Sequence, residues 1–138
     1  MKNAAFSLKG YRFPKALIDL TKIKEENNEF KMDIFPSGKY YEKTREFELK
    51  FTFIAKLNQS DDPAISVECE GKFVFAEALN FEDIPDYFYP NSIAIIFPYV
   101  RAFVSTLSLQ ANYRPIVIPT MNLSDLSETL RQHVVVER

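Results

Sequence analysis

Apolar and polar residues alternate from Glu46 to Leu57 at every position but Ile54. Phe47, Leu49, Phe51, Phe53, Ala55 and Leu57 share one parity, and Glu46, Glu48, Lys50, Thr52 and Lys56 share the other. This is the pattern of a strand with one buried face. Asn58–Pro63 has turn composition and is short enough to join antiparallel neighbours. In the return strand Ile65, Val67, Cys69, Phe73 and Phe75 form the apolar parity, and Gly71 leaves room for a bulky neighbour. Upstream, Phe30, Met32 and Ile34 alternate with Lys31 and Asp33, and Pro36, Ser37 and Gly38 are expected to end that strand. Tyr40 and Tyr41 then fall in a crossover or at the start of the next strand. Between Phe6 and Leu20 the apolar parity changes across Gly10, which predicts a bulged strand. Pro14 belongs in a break or at a sheet edge, with Ala16, Ile18 and Leu20 continuing extended. The charged run Lys22–Asn28 reads as a solvated turn.

The period changes after Pro90. From Ser92 to Gln110 only Arg101 carries charge, so a helix here has no face polar enough for open water and must be covered on nearly all sides. One sheet covers one side, and the other calls for a second copy of the chain. Asn91 is the expected cap, and Pro98, which removes the amide that would bond the Ala94 carbonyl, predicts a kink or else the true helix start. Pro98, Arg101, Ser105, Thr106 and Ser108 argue against a membrane span. The segment 114–119, RPIVIP, should lie extended along other structure. A last amphipathic helix begins near Asn122, with Asp125 in its first turn and a stripe of Leu123, Leu126, Leu130 and Val134. Phe81–Pro90 concentrates aromatic residues and fits either a lid over the sheet edge or the wall of a groove. The predicted class is α+β: a four-stranded antiparallel sheet, a long apolar helix and a short C-terminal helix, in a single domain spanning residues 1–138.

Composition adds one anomaly. Thirteen Phe and seven Tyr with no Trp and three Gly imply broad aromatic faces, either a Phe-rich core or an exposed binding surface. A formal charge of −2 without a basic run argues against nucleic acid as a partner. Cys69 is the lone cysteine, which excludes an intrachain disulfide or a cysteine metal cluster, and its parity makes it a small core hydrophobe. The N-terminus lacks a basic and apolar leader, so a reducing cytoplasm is the expected compartment. His133 is the single histidine, Gly10, Gly38 and Gly71 are too far apart for a phosphate loop, and Asp61 and Asp62 look like turn residues. No catalytic, metal or cofactor site is selected, and a binding protein is expected in preference to an enzyme.

Pro90-Asn91, IFPYVR at 96–101, RPIVIP at 114–119 and MNLSDL at 121–126 together resemble the SecB family of bacterial export chaperones. The likeness rests on motif over residues 90–126 and on strand order over residues 6–80. It implies dimers paired through their sheets, a tetramer built as a dimer of dimers with the long helices sandwiched inside, and ATP-independent holding of unfolded polypeptides in aromatic and aliphatic grooves. By this resemblance Phe30, Met32, Ile34, Phe73, Phe88, Leu123 and Leu126 are the candidate client contacts, each with a competing reading as plain core. Ile95, Ile96, Tyr99 and Phe103 are the candidate oligomer interface, and Arg101 is expected to be paired inside the bundle. Family members are strongly acidic and reach the motor SecA through acidic sheet residues and an acidic tail. This chain is near neutral and ends in VVVER, which puts SecA coupling in doubt, and Leu123 replaces a family phenylalanine. The expected function is a holdase serving protein export or protecting an antitoxin in a toxin-antitoxin-chaperone system. The alternative is a SecB-fold scaffold or small-ligand binder whose aromatic surfaces are consumed by oligomer contacts.

Overall fold

The computed structural model describes residues 5–23, 30–57, 61–119 and 122–138. Most of the turn expected at Lys22–Asn28 lies outside the described residues, as do Asn58–Ser60 of the hairpin turn and Met121. The elements are β1 (Phe6–Ile18), β2 (Phe30–Tyr41), β3 (Glu46–Leu57), β4 (Ile65–Phe75), α1 (Phe88–Gln110), α2 (Leu123–Gln132) and β5 (Val134–Glu137). They make an α+β fold with a five-stranded sheet in the order β1-β4-β3-β2-β5. The first four strands pair antiparallel, and β5 pairs parallel to β2. The sheet is therefore mixed and one strand larger than expected. Val134 suits the end of an apolar helical stripe as well as the start of a strand, and four residues are too few for periodicity to separate the two. The helix stops at Gln132.

β3 and β4 follow the predicted parity. Phe47, Leu49, Phe51, Phe53, Ile65, Val67, Cys69, Phe73 and Phe75 have no accessible surface. β1 is the edge strand with two register shifts, one across Leu8 and Gly10 and one between Arg12 and Lys15 around Pro14. It ends at Ile18, and Leu20 enters a short 3-10 turn held by Asp19, whose carboxylate accepts the Thr21 amide. β2 does not end at Pro36. It runs on to Tyr41, paired with β3 without a register shift. Proline is tolerated because the Gly38 amide points away from β3 and donates to the His133 carbonyl at 3.0 Å. Pro36 has the same parity, so its missing amide faces the outer edge and costs no bond to β3.

α1 begins at Phe88 and not at Asn91. The backbone already turns at Tyr87, the Phe88 amide bonds the Pro85 carbonyl, and no side chain caps the start. Burial sets this position. Phe88 has no exposed surface, and its ring meets those of Phe6, Phe47, Phe73, Phe75 and Tyr89 at centroid distances of 4.8 to 5.7 Å. Gly71 does what the sequence suggested: a Cβ there would lie 2.6 Å from Ile96 Cδ1. Gly38 has a similar role that the sequence did not disclose, since a Cβ would run into the Phe47 ring and approach Leu130 of α2. α1 ends at Gln110, and just beyond it Asn112, with a φ of 60°, lets the Tyr113 amide reach the Ser108 carbonyl while its own amide reaches that of Leu109. RPIVIP then runs back along α1. Ser105 Oγ donates to the Ile116 carbonyl at 2.8 Å and Ser108 Oγ accepts the Ile116 amide at 3.0 Å. Those hydroxyls fasten Ile116 and Ile118 into the core. Asn122 caps α2 as expected, accepting from the Ser124 and Asp125 amides. Phe88→Ala should lower stability by about 3–5 kcal/mol in urea unfolding, because five ring contacts are lost with little room for collapse. A cost below about 1 kcal/mol would contradict this packing.

Candidate functional site

α1 has two unlike sides. Ile93, Ile96, Val100, Val104 and Ser108 are buried against the fold. Opposite them Ala94, Ile95, Pro98, Tyr99, Arg101, Ala102, Thr106 and Leu109 are exposed. Ile95, Pro98, Ala102 and Leu109 recur at near-heptad spacing, so the outward face is an apolar stripe that the protomer leaves uncovered. By length and composition alone α1 could cross a membrane. In this fold its inward side packs on the sheet. Arg101 is on the exposed side of the protomer, at a helical position turned away from the sheet.

The expected interface residues divide accordingly. Ile95 and Tyr99 point outward, at 37% and 39% exposure, whereas Ile96 is buried over Gly71 and belongs to the core. Phe103 is half-buried and stacks on Phe13 at 4.0 Å, and Tyr99 stacks on Tyr11 at 4.2 Å. Two aromatic pairs thus clasp the edge strand β1 to the flank of α1. Sequence reasoning missed Tyr11 and Phe13 as partners, because their parity change was the only visible signal.

The expected client contacts also divide. Phe73 and Phe88 have no accessible surface and sit in the central aromatic cluster, and Ile34 is buried at 8% exposure. They are core residues of the protomer, which is a correction to their assignment as surface contacts. Strand alternation produces the same letters for a groove and for a core. Phe30, Met32, Leu123 and Leu126 are only partly buried and pack against the rim of the core. α2 packs on β2, with Leu130 against Gly38, so these four residues belong to neighbouring elements. Phe35 at 56% exposure lies on the outer face of β2, and Val117 at 59% lies in the segment after α1.

The segment Phe81–Pro90 is packed down. Ile84, Phe88 and Tyr89 are buried, the Phe81 amide donates to Glu42 Oε2 at 2.7 Å, and Tyr40 Oη donates to the Leu79 carbonyl at 2.7 Å. Arg131 of α2 pairs with Asp86 and lies over the Tyr89 ring at 5.2 Å. This favours the lid over the groove wall, with Tyr87 the aromatic residue left outward.

The other face of the sheet is a lattice of opposite charges. Arg12 meets Glu70 at 2.8 Å, Lys72 meets Glu46 at 3.7 Å and Lys50 meets Glu68 at 3.8 Å, with Lys39 opposite Glu48 in register. Each exposed pair contributes only about 0–1 kcal/mol, but together they leave no single-sign field. A cleft of about 490 Å³ opens on this face between Lys9, Tyr11, Arg12, Glu48, Glu70 and Lys72. None of the expected client contacts lines it. Cys69 is buried, and burial raises its thiol to about 11, which fits a core hydrophobe and not a nucleophile. Among the described residues no cluster of His, Cys, Asp and Glu could hold a metal ion.

Comparison with solved structures now bears on the fold. The Mycobacterium tuberculosis SecB-like chaperone Rv1957, solved in complex with a ChAD peptide from the Rv1956 HigA1 antitoxin, superposes with a TM-score of 0.66. The match covers 84% of this chain and 90% of that one, at 11% identity. This chain has a SecB-like fold. At that identity the SecB-like likeness is one of fold, and no family model matches the sequence. The uncharacterized protein MJ0357 of Methanocaldococcus jannaschii is 34% identical over 86 residues, 61% of this chain. The chain spans about half the length of that relative, 54%.

Proposed function

We propose that this SecB-like protein is a binding protein, not an enzyme, that holds extended apolar segments of unfolded polypeptides without ATP. The rim formed by Phe30, Met32, Leu123 and Leu126 is the client surface. The observation that carries this reading is the coexistence of a SecB-like fold with a partly exposed apolar rim where β2 and α2 pack together. Methionine and leucine at such a rim suit a promiscuous surface, because they repack around different partners. Protection of an antitoxin is favoured over export. The neighbour with this fold binds an antitoxin peptide, and the outer sheet face here is charge-paired where SecA coupling would call for an acidic surface. The proposed setting is the cytoplasm.

The same reading assigns the outward stripe of α1 to a second copy of the chain, as a dimer or a dimer of dimers. Ile95, Tyr99 and Leu109 would be covered there, and an exposed apolar stripe on a lone protomer is an association surface by its chemistry.

Two outcomes follow. At stoichiometric amounts the protein should suppress light scattering by denatured citrate synthase and malate dehydrogenase, and by a candidate antitoxin. Met32→Asp combined with Leu126→Asp should lose most of that suppression while the circular dichroism spectrum is kept. No suppression of any client by the unaltered protein would refute the holdase reading. In sedimentation velocity the protein should run as a dimer or tetramer, and Ile95→Lys combined with Leu109→Lys should reduce its mass to the protomer. A monomer at tens of micromolar for the unaltered protein would remove the assigned role of α1.

A further inference from the structure

The outer face of the sheet changes character along its strands. Over its middle and one end, cations meet carboxylates on neighbouring strands: Arg12 with Glu70, Lys50 with Glu68, Lys72 with Glu46 and Lys39 with Glu137. Towards the other end, where β2 starts and β3 finishes, that pairing stops. Lys31 and Lys56 stand directly opposite each other in register, and like charges so placed destabilise a sheet. Among the described residues neither is in an ion pair, and nor is Lys15, whose cross-strand neighbour Glu68 is taken by Lys50. Asp33, between Lys31 and Phe35 on the same face of β2, pairs with none of the three.

Apolar side chains come to the surface at the same place. Phe35 of β2 is 56% exposed and Leu17 of β1 is 44% exposed. Ile54 of β3, partly exposed, lies between them, in one cross-strand row with Asp33, Ser66 and Leu17. A single exposed apolar residue is ordinary. Three on one part of a face, beside lysines that lack carboxylates, mark an interaction surface.

We propose that this end of the outer face docks a short acidic segment of a partner protein. An aromatic or aliphatic side chain of the partner rests on Phe35, Ile54 and Leu17, and its carboxylates meet Lys31, Lys56 and Lys15. Charge complementarity selects the occupant, because the Lys31–Lys56 pair exchanges repulsion for attraction on binding. The sign is opposite to the acidic surface that SecA coupling would call for. The chain as a whole carries −2, which disfavours a broad anionic surface such as a membrane or a nucleic acid. A short segment instead meets the lysines alone, within a screening length of about 8 Å at physiological salt. Strand geometry sets the spacing. At about 3.4 Å per residue Lys56 lies about 7 Å from Ile54 and Lys31 about 14 Å from Phe35, so an extended partner carries its acids two to four residues from its apolar anchor. The surface lies across the sheet from α1 and α2, and docking there does not depend on the holdase reading.

The test is fluorescence anisotropy on the intact protein. The probe is a labelled peptide of phenylalanine and leucine with glutamates two and four residues away, and its twin has lysine in place of each glutamate. The glutamate peptide should bind at least about tenfold more tightly than its twin, and should weaken several-fold between about 50 and about 300 mM sodium chloride. Lys31→Glu converts the repelling pair into an attracting one. It should raise the melting temperature by about 1–3 °C while weakening the glutamate peptide at least about fivefold. A residue kept only for the fold would not set stability against binding in this way. Phe35→Ser should weaken the peptide and leave its salt dependence unchanged. Equal binding of the two peptides, or no binding of either up to about 1 mM, overturns the proposal. Binding that survives both substitutions lies elsewhere on the protein and overturns it too. Pelleting with phosphatidylserine vesicles that Lys31→Glu abolishes, without peptide binding, would give the patch to a membrane and would also overturn it.

Discussion

A 23-residue helix with one charge between Ser92 and Gln110 cannot lie on open water, and the rest of the fold is arranged to cover it. The sheet covers the inward side. Gly71 admits Ile96, Phe88 fills the space between β1, β3 and β4, and the Ser105 and Ser108 hydroxyls strap the following segment alongside. Buried Ser92 and Ser108 donate to helix carbonyls, and among the described residues no buried side-chain oxygen or nitrogen lacks a partner. The outward side is only flanked, where Tyr11 and Phe13 reach around from β1. Ile95, Pro98, Ala102 and Leu109 remain exposed in the protomer.

This arrangement separates two uses of the aromatic surplus. Phe47, Phe51, Phe53, Phe73, Phe75 and Phe88 are spent on the core. The apolar surface left partly exposed is smaller than the composition implied, and Phe30, Met32, Leu123 and Leu126 of β2 and α2 are part of it. The charge-paired part of the opposite sheet face is closed to an apolar partner by its alternating charges, which would lose their hydration there. A division of labour results. On the proposed reading α1 serves assembly, the rim of β2 and α2 serves recognition, and the charge-paired part of the sheet face stays in water.

Much of this could be read before the structure. β3 and β4 were visible because period-2 alternation over their full length has no helical rival, and Asn122 was visible because a short polar residue before an apolar stripe has a specific capping chemistry. What stayed hidden were places where one signal served two structures. Pro36-Ser37-Gly38 looks like a strand end but lies on an edge where proline costs no ladder bond to β3. Asn91 looks like a cap, yet burial of Phe88 drew the helix start further upstream. Val134 suits a helix or a strand equally. Phe73 and Phe88 show the limit for site prediction, because parity identifies a buried face without saying whether a client or the chain's own helix buries it.

The central claim is that assembly covers the outward stripe of α1 while the rim of β2 and α2 stays open to a client. Titration of the intact oligomer with the apolar dye bis-ANS, followed by competition with reduced carboxymethylated α-lactalbumin, tests it most directly. The account predicts saturable dye binding to the assembled protein and its displacement by the unfolded client. An oligomer that binds almost no dye would mean that its apolar surfaces are sealed within the assembly, and would contradict the account.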